Sequence, residues 1–317
     1  MTDERDAPTL TIVTYHYVRP LEQTRFPRIK GRHLDEFERQ LAWLLEHHTP
    51  VSVEDIVAAT SGGRPLPSDA ALLTFDDGYV DHYAYVFPRL REAGVYGAFF
   101  PPASAVLRGE LLDANRVHFV LASVEDAASL VSCIERRIRE LQGEFDLQDP
   151  EAYAAEWMKP SRFDVAEAVY VKRLLQTALP APVRKKIASE LFAEHVGIDE
   201  RAFARELYVN VEQLLTMQAS GMHIGSHGDR HLWLNRLERS EVERDIDASL
   251  EFLEALDGPI RSHWVMCYPY GGWNDTVLDV LRARNCTLGV TTESRVARIG
   301  SDDPLLLPRF DTNELPH

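Results

Sequence analysis

Three features of this chain predict an α/β fold with a largely parallel sheet. Short runs of apolar and β-branched residues recur towards both ends of the sequence. Stretches with helical apolar spacing separate those runs, so strand and helix alternate. Between residues 104 and 210 the alternation stops and only helical spacing continues, as an insertion would.

Leu10 to Tyr15 reads as the first strand. Leu34 to Glu46 reads as a helix, with Leu34, Phe37, Leu41 and Leu44 or Leu45 on one face and Asp35 and Glu36 in the first turn. Val51 to Val53 reads as a short strand before a helix over Glu54 to Ala59. Ser61 to Pro67 is a loop. Ala71, Leu72 and Leu73 begin a buried strand. Tyr83 to Ala93 is a helix stopped by Gly94, and Tyr96 to Phe100 is the next strand. In the insertion, Leu130, Ile134, Ile138 and Leu141 share one helical face, Val165 and Val169 begin a second helix, and a third runs from Pro182 to Gly197. Beyond it come a helix over Val211 to Ala219, a strand over Met222 to Gly225, and a long helix over Arg239 to Ala255 with Ser240 as its expected cap. A strand over Ser262 to Tyr268, a helix over Asp275 to Arg284 and a strand over Thr287 to Thr291 follow. Leu305 to Leu307 is the expected last strand.

With 317 residues and 45% hydrophobic composition, the chain can bury a large core. Its formal net charge of −16 opposes nucleic-acid binding and adhesion to anionic membranes, but not a small anionic ligand held by local arginines. No apolar run approaches a membrane span. The acidic N-terminus lacks the apolar core of a secretory signal, and Cys133, Cys267 and Cys286 are widely spaced and odd in number. The expectation is a cytoplasmic protein.

The chemistry concentrates in two places. The first is Thr74-Phe75-Asp76-Asp77-Gly78, two adjacent carboxylates at the end of a buried strand. Such charges are costly unless a cation or a positive group compensates them. The second is Ser226-His227-Gly228-Asp229-Arg230-His231, whose imidazoles, four positions apart, can converge on one ion. One Asp and two His form a zinc-like ligand set with an open position for water, which leaves the other Asp free as a base. An Asp-Asp-Gly turn alone is usually solvated, and a lone His pair in a polar loop is usually bland. Their joint occurrence after two strands favours a metal site.

At this point the sequence resembles the NodB-type polysaccharide deacetylases. Their first motif, T-F-D-D-G, matches residues 74–78; their second, H-[ST]-x-x-H or a close variant, matches His227 to His231; the third ends in P-Y-G, as in Pro269-Tyr270-Gly271. The resemblance implies an irregular (β/α)7-type barrel over residues 9–312, interrupted by the 104–210 helical insertion. It implies a metal-dependent hydrolase that removes an N-acetyl group from an amino sugar or its nucleotide- or lipid-linked derivative. The small, linked derivatives fit best with the absent secretory signal. One divalent ion is implied, zinc first, with cobalt, nickel and manganese also compatible. Asp77, His227 and His231 would hold it, Asp76 would be the base on its bound water, and Pro269-Tyr270 would supply an oxyanion donor through the Tyr270 N–H.

Two departures from the family pattern matter. Many members carry Arg two residues before the Pro of the third motif; this chain has Cys267, whose thiol supplies no positive charge. Arg309, after the expected last strand, is the candidate replacement. The last motif's His acid has no clear match, and His16, closing strand one, is the preferred acid, against a reading as a buried structural histidine. Trp233, Trp273, Tyr79, Asp81 and His82 are candidates to line the pocket, Asp81 and His82 against a reading as polar residues at a helix N-terminus, and Asn115, Arg116 and His118 to contact substrate. The insertion is read either as a cap or as a peripheral arm for homo-oligomerisation. Two other functions stay in view: another C–N hydrolase, such as a deformylase or cyclic-amide hydrolase, and a non-catalytic carbohydrate-binding protein.

Overall fold

In the computed structural model, which describes residues 8–256 and 263–316, the chain forms two units. One comprises Met1–Pro20, Gly31–Glu110 and Arg205–His317; the other comprises Leu21–Lys30 and Leu111–Ala204.

In chain order the first unit holds β1 (Thr9–Tyr15), β2 (Val18–Arg19), β3 (Arg32–His33), α1 (Leu34–His47), β4 (Thr49–Pro50), α2 (Val53–Thr60), β5 (Ala70–Asp76), α3 (Phe87–Ala93), β6 (Gly97–Phe100) and α4 (Ala103–Arg108). The second unit is helical: α5 (Asp113–Ser123), α6 (Ala127–Leu141), α7 (Pro150–Trp157), α8 (Ala166–Arg173) and α9 (Ala181–His195). α10 (Glu200–Leu207) ends beyond it. The first unit resumes with α11 (Val211–Ala219), β7 (His223–Ile224), α12 (Arg239–Ala255), β8 (Val265–Cys267), α13 (Asp275–Ala283), β9 (Leu288–Val290), β10 (Ala297–Arg298) and β11 (Phe310–Asp311).

β1, β5, β6 and β7 are neighbours in one sheet and run parallel. β8 and β9 form a parallel pair of their own. Single bridges join the two sets. Cys267 N–H donates to Ser226 O at 2.8 Å and Ser226 N–H to Val265 O at 2.9 Å; Thr291 N–H donates to Leu307 O and Leu307 N–H to Gly289 O, both at 2.8 Å. β11, just beyond Leu307, pairs in parallel with β1. The hydrogen bonds thus close a ring through β1, β5, β6, β7, β8, β9 and the segment 307–311, an irregular barrel of the expected kind.

Side chains alternate across this ring, as strand geometry requires. Leu10 and Ile12 of β1, Ala70 and Leu72 of β5, Ala98 and Phe100 of β6, Val265 and Cys267, Leu288 and Val290, and Leu307 share one core cluster. The intervening Val13, Tyr15, Leu73, Phe75 and Phe99 pack in another with Phe37 and Leu41 of α1, Leu90 of α3 and Leu214 of α11. Continuing the first face along β1 and β5 leads to Thr14, Thr74 and Asp76.

The structure corrects several boundaries. Val53 opens α2 instead of ending a strand; the short strand is β4, two residues earlier. The expected helix over Tyr83 to Ala93 begins as a π-turn, His82–Val86, where Phe87 N–H reaches His82 O. Pro88 follows within the first turn of α3 and has no N–H for the ordinary ladder. Glu238, not Ser240, caps α12, in a reciprocal box with Glu241. Leu305 and Leu306 lie in a 3₁₀ turn, and pairing with β1 waits until Phe310. Ser262, expected to open a strand, lies outside the described residues.

The helical unit takes in 111–204 of the 104–210 stretch and adds residues 21–30, which the sequence had not joined to it. Phe26 packs edge-on against Phe119 and Phe203, and Lys30 pairs with Asp164 at 2.6 Å. Arg116, a candidate for substrate contact, instead bridges Asp113 and Glu200 at 2.5 and 2.9 Å. Among the described residues, no helix is long and apolar enough to cross a membrane.

Candidate active site

The site is built on backbone that L-residues seldom adopt. Among the described residues, the non-glycine positions with positive φ are Asp77 (73°), His231 (55°), Tyr270 (57°) and Asn285 (56°). Three of these four belong to the motifs. Left-handed conformations cost side-chain-bearing residues free energy and cluster where the surroundings impose a function. Gly78 (φ 66°) continues the turn after β5, where a Cβ would stand 2.6 Å from Pro101 Cβ.

That turn aims Asp77 at the two imidazoles. Asp77 Oδ1 lies 3.4 Å from His227 Nε2 and 3.3 Å from His231 Nε2, and all three residues are buried. Two of the three are held by further groups. Tyr79 Oη donates to Asp77 Oδ2 at 2.6 Å, and His227 Nδ1 bonds the Cys267 carbonyl at 2.7 Å, so that nitrogen carries the proton. Burial lowers the His231 pKa to about 4. Against burial, Cys267 and Asp77 raise that of His227, so a proton there stands where a cation would compete with it.

These residues fit a divalent metal. Asp77 Oδ1 is buried yet has no hydrogen-bond partner, an acceptor left for something other than protein. Ligands on one tetrahedral ion at about 2.0–2.1 Å stand about 3.3 Å apart, close to the two separations found. Asp76, His227 and Cys267 also approach one another. They make a poorer site, because burial pushes the Cys267 thiol up and Asp76 is already committed elsewhere.

That commitment is to Arg309. Its Nη1 donates to Asp76 Oδ1 at 2.9 Å and its Nη2 to Oδ2 at 2.8 Å. Thr14 Oγ1 adds a bond to Oδ2 at 3.2 Å. Arg309 also reaches Thr74 Oγ1, Thr291 O and Cys267 Sγ, and is only 2% exposed. Burial alone would raise the Asp76 pKa, but the guanidinium beside it holds the carboxyl well below its usual range. Arg309 thus puts its guanidinium on Asp76 and against the Cys267 thiol, the residue at the third-motif position.

Comparison with known proteins bears on these motifs. Residues 186–289 match a family model described as polysaccharide deacetylase. A 68-residue stretch is 47% identical to poly-beta-1,6-N-acetyl-D-glucosamine N-deacetylase of Escherichia coli K12, covering 21% of this chain and 10% of that protein. The match therefore spans a small part of its relative's length. Among solved structures, the Streptococcus pyogenes deacetylase PplD in complex with acetate aligns with TM-score 0.59 and 16% identity, over 98% of this chain and 94% of that one. IcaB from Ammonifex degensii aligns with TM-score 0.56 and 17% identity, over 96% and 91%. Over residues 186–289 the chain is similar to the polysaccharide deacetylases, and its fold resembles theirs. The family model covers the second and third deacetylase motifs but not Asp76 and Asp77; the folded barrel brings those to the same place.

The remaining deacetylase candidates fall as follows. His16 Nε2 lies 4.0 Å from Asp76 Oδ2 with its side chain 46% exposed, so it is not a buried structural histidine. Tyr270 follows buried Pro269, and its ring stacks on Trp233 (4.5 Å, 5°) and meets His231 edge-on. Trp273 is exposed. Asp81 pairs with Arg19 at 2.7 Å, and His82 bonds the His16 carbonyl, so both support the backbone around the site. Sequence reasoning gave Tyr79 no role on Asp77, and it missed Asp245 of α12 altogether. Asp245 accepts the backbone N–H groups of Asp229 (2.9 Å) and Arg230 (3.2 Å), inside the His227–His231 loop. An Asp on the buried face of an amphipathic helix was its only sequence signal.

Proposed function

We propose that the protein hydrolyses the N-acetyl amide of a β-linked N-acetylglucosamine saccharide, with one zinc ion held by Asp77, His227 and His231. The observation that carries this reading is the convergence of those three buried side chains on an otherwise unpartnered carboxylate oxygen. A divalent ion bound there would acidify water and polarise the amide carbonyl.

The chain's own groups supply the rest. Tyr79 and the Cys267 carbonyl hold two of the three ligands in place. Asp76 accepts a proton from the attacking water, and Arg309 and Thr14 keep it ionised and aimed. His16, exposed beside Asp76, protonates the departing amine nitrogen. The Tyr270 N–H would donate to the oxyanion, and the Tyr270–Trp233 stack offers an aromatic wall for a sugar face. The saccharide is suggested by the name of the E. coli relative, and nothing in the described site favours a nucleotide- or lipid-linked sugar over it.

The test is acetate release from N-acetylglucosamine oligosaccharides, with zinc content measured on the same samples. Wild type should release acetate, and His231→Ala should lose that activity together with about one zinc equivalent per chain. Formate release from N-formyl substrates in preference to acetate would move the reading to a deformylase. Undiminished acetate release by His231→Ala would overturn the metal mechanism.

A further inference from the structure

We propose that Glu54, His223 and His263 form a second divalent-metal site, for zinc or a similar ion, at the end of the barrel opposite the deacetylase motifs. His223 opens β7 and His263 precedes β8, whereas His227 and Pro269 follow those strands. Glu54 comes from the first turn of α2. The three donors therefore arise from elements distant in sequence.

Their geometry parallels that of the first site. One oxygen and two ring nitrogens lie within 4.8 Å of one another. Glu54 Oε1 is 3.3 Å from His263 Nε2 and 3.7 Å from His223 Nδ1. The second separation is too long for a hydrogen bond, so a simple Glu–His bond does not account for the position of His223. It does suit two ligands flanking one ion at about 2.0–2.1 Å. His223 is buried and its Nε2 has no partner, so Nδ1 is the nitrogen turned to the cluster. The two rings lie nearly parallel, 18° apart, with centroids separated by 5.9 Å. Glu54 is exposed, which leaves the ion's remaining positions to water. An ion here ties α2 to the starts of β7 and β8, a structural clasp on strands whose other ends carry the chemistry.

Zinc binding to the His227→Ala/His231→Ala double variant tests this, because that variant lacks the first site. After equilibration with Zn²⁺ and gel filtration, the double variant should retain about one zinc per chain. Adding Glu54→Gln or His263→Ala should abolish it. Neither of those residues is in the buried core, so the fold should survive, as circular dichroism would register. A folded double variant without zinc overturns the proposal, as does zinc undiminished by the Glu54 and His263 changes. Should the double variant fail to fold, the wild-type background decides: zinc content should fall by half in His263→Ala, and no fall overturns the site.

Discussion

Burying the Asp76 carboxylate and the Arg309 guanidinium removes two charges from water, and two parallel N–H···O bonds offset part of that cost. Arg309→Met should lower stability by about 3–5 kcal/mol in urea unfolding, because Asp76 is left charged and alone. Arg309→Lys keeps a charge but not the fork; deacetylation should fall about 100-fold while zinc content holds. A second residue sets a pH limit. Burial lowers the His82 pKa to about 4, and its Nδ1 lies buried with no partner to receive an added proton. An unfolded histidine titrates near 6.5. Between those values the unfolded chain binds a proton that the folded one refuses, so stability falls as pH drops through this window. The contribution lost by pH 5 is about 2 kcal/mol. Unfolding of His82→Gln at pH 7 and pH 5 should show that part of the pH dependence removed. An Asp base at the end of a buried strand was legible from the residues, and the family resemblance assigned that role to Asp76 over Asp77. The exposure of His16 was not legible, since it depends on what packs over the end of β1.

Among the elements, the loop from His227 to His231 depends most on a distant helix. Asp245 of α12 accepts two of its N–H groups, and a Cβ on Gly228 (φ 70°) would stand 2.5 Å from Asp245 Oδ1. Asp245→Asn replaces one acceptor with a donor facing an N–H. Zinc affinity at the first site should fall about 10–100-fold in a competition titration, with α12 intact by circular dichroism. The limits of α12 were legible in its apolar periodicity, but its cap was not: Glu238 is an unusual cap, and Ser240 two residues later carries the stronger propensity. The 3₁₀ turn at Pro304–Leu306 misled for a related reason. A short apolar run reads equally as strand or helix until its neighbours are known.

At the scale of the molecule, ring closure depends on thin contacts. Gly289 of β9 sits against the Leu305 carbonyl and the Tyr268 hydroxyl, with no room for a Cβ. Gly289→Val should cost at least about 1–3 kcal/mol by overpacking. It should also loosen the segment that carries Arg309, so thermal unfolding and deacetylation should decline together. Hydrogen exchange should report the loss first in β9 and at Leu307. The helical unit buries its own Leu130, Ile134, Ile138, Val183 and Ile187.

By itself the sequence determined the alternation of strand and helix, the three motifs and their order, and the placing of Asp76 and Asp77 at the end of a buried strand. These are local properties, set by side-chain period and turn chemistry within a few residues. Tertiary structure decided that Arg309, a candidate on sequence, forks onto Asp76, that Tyr79 bonds Asp77 and Asp245 the 229–230 backbone, and that residues 21–30 join the helical unit. Arg309 and Asp76 are 233 residues apart. No propensity or spacing records such a pairing, because it exists only once the ring of strands has closed and brought both side chains into one low-dielectric interior.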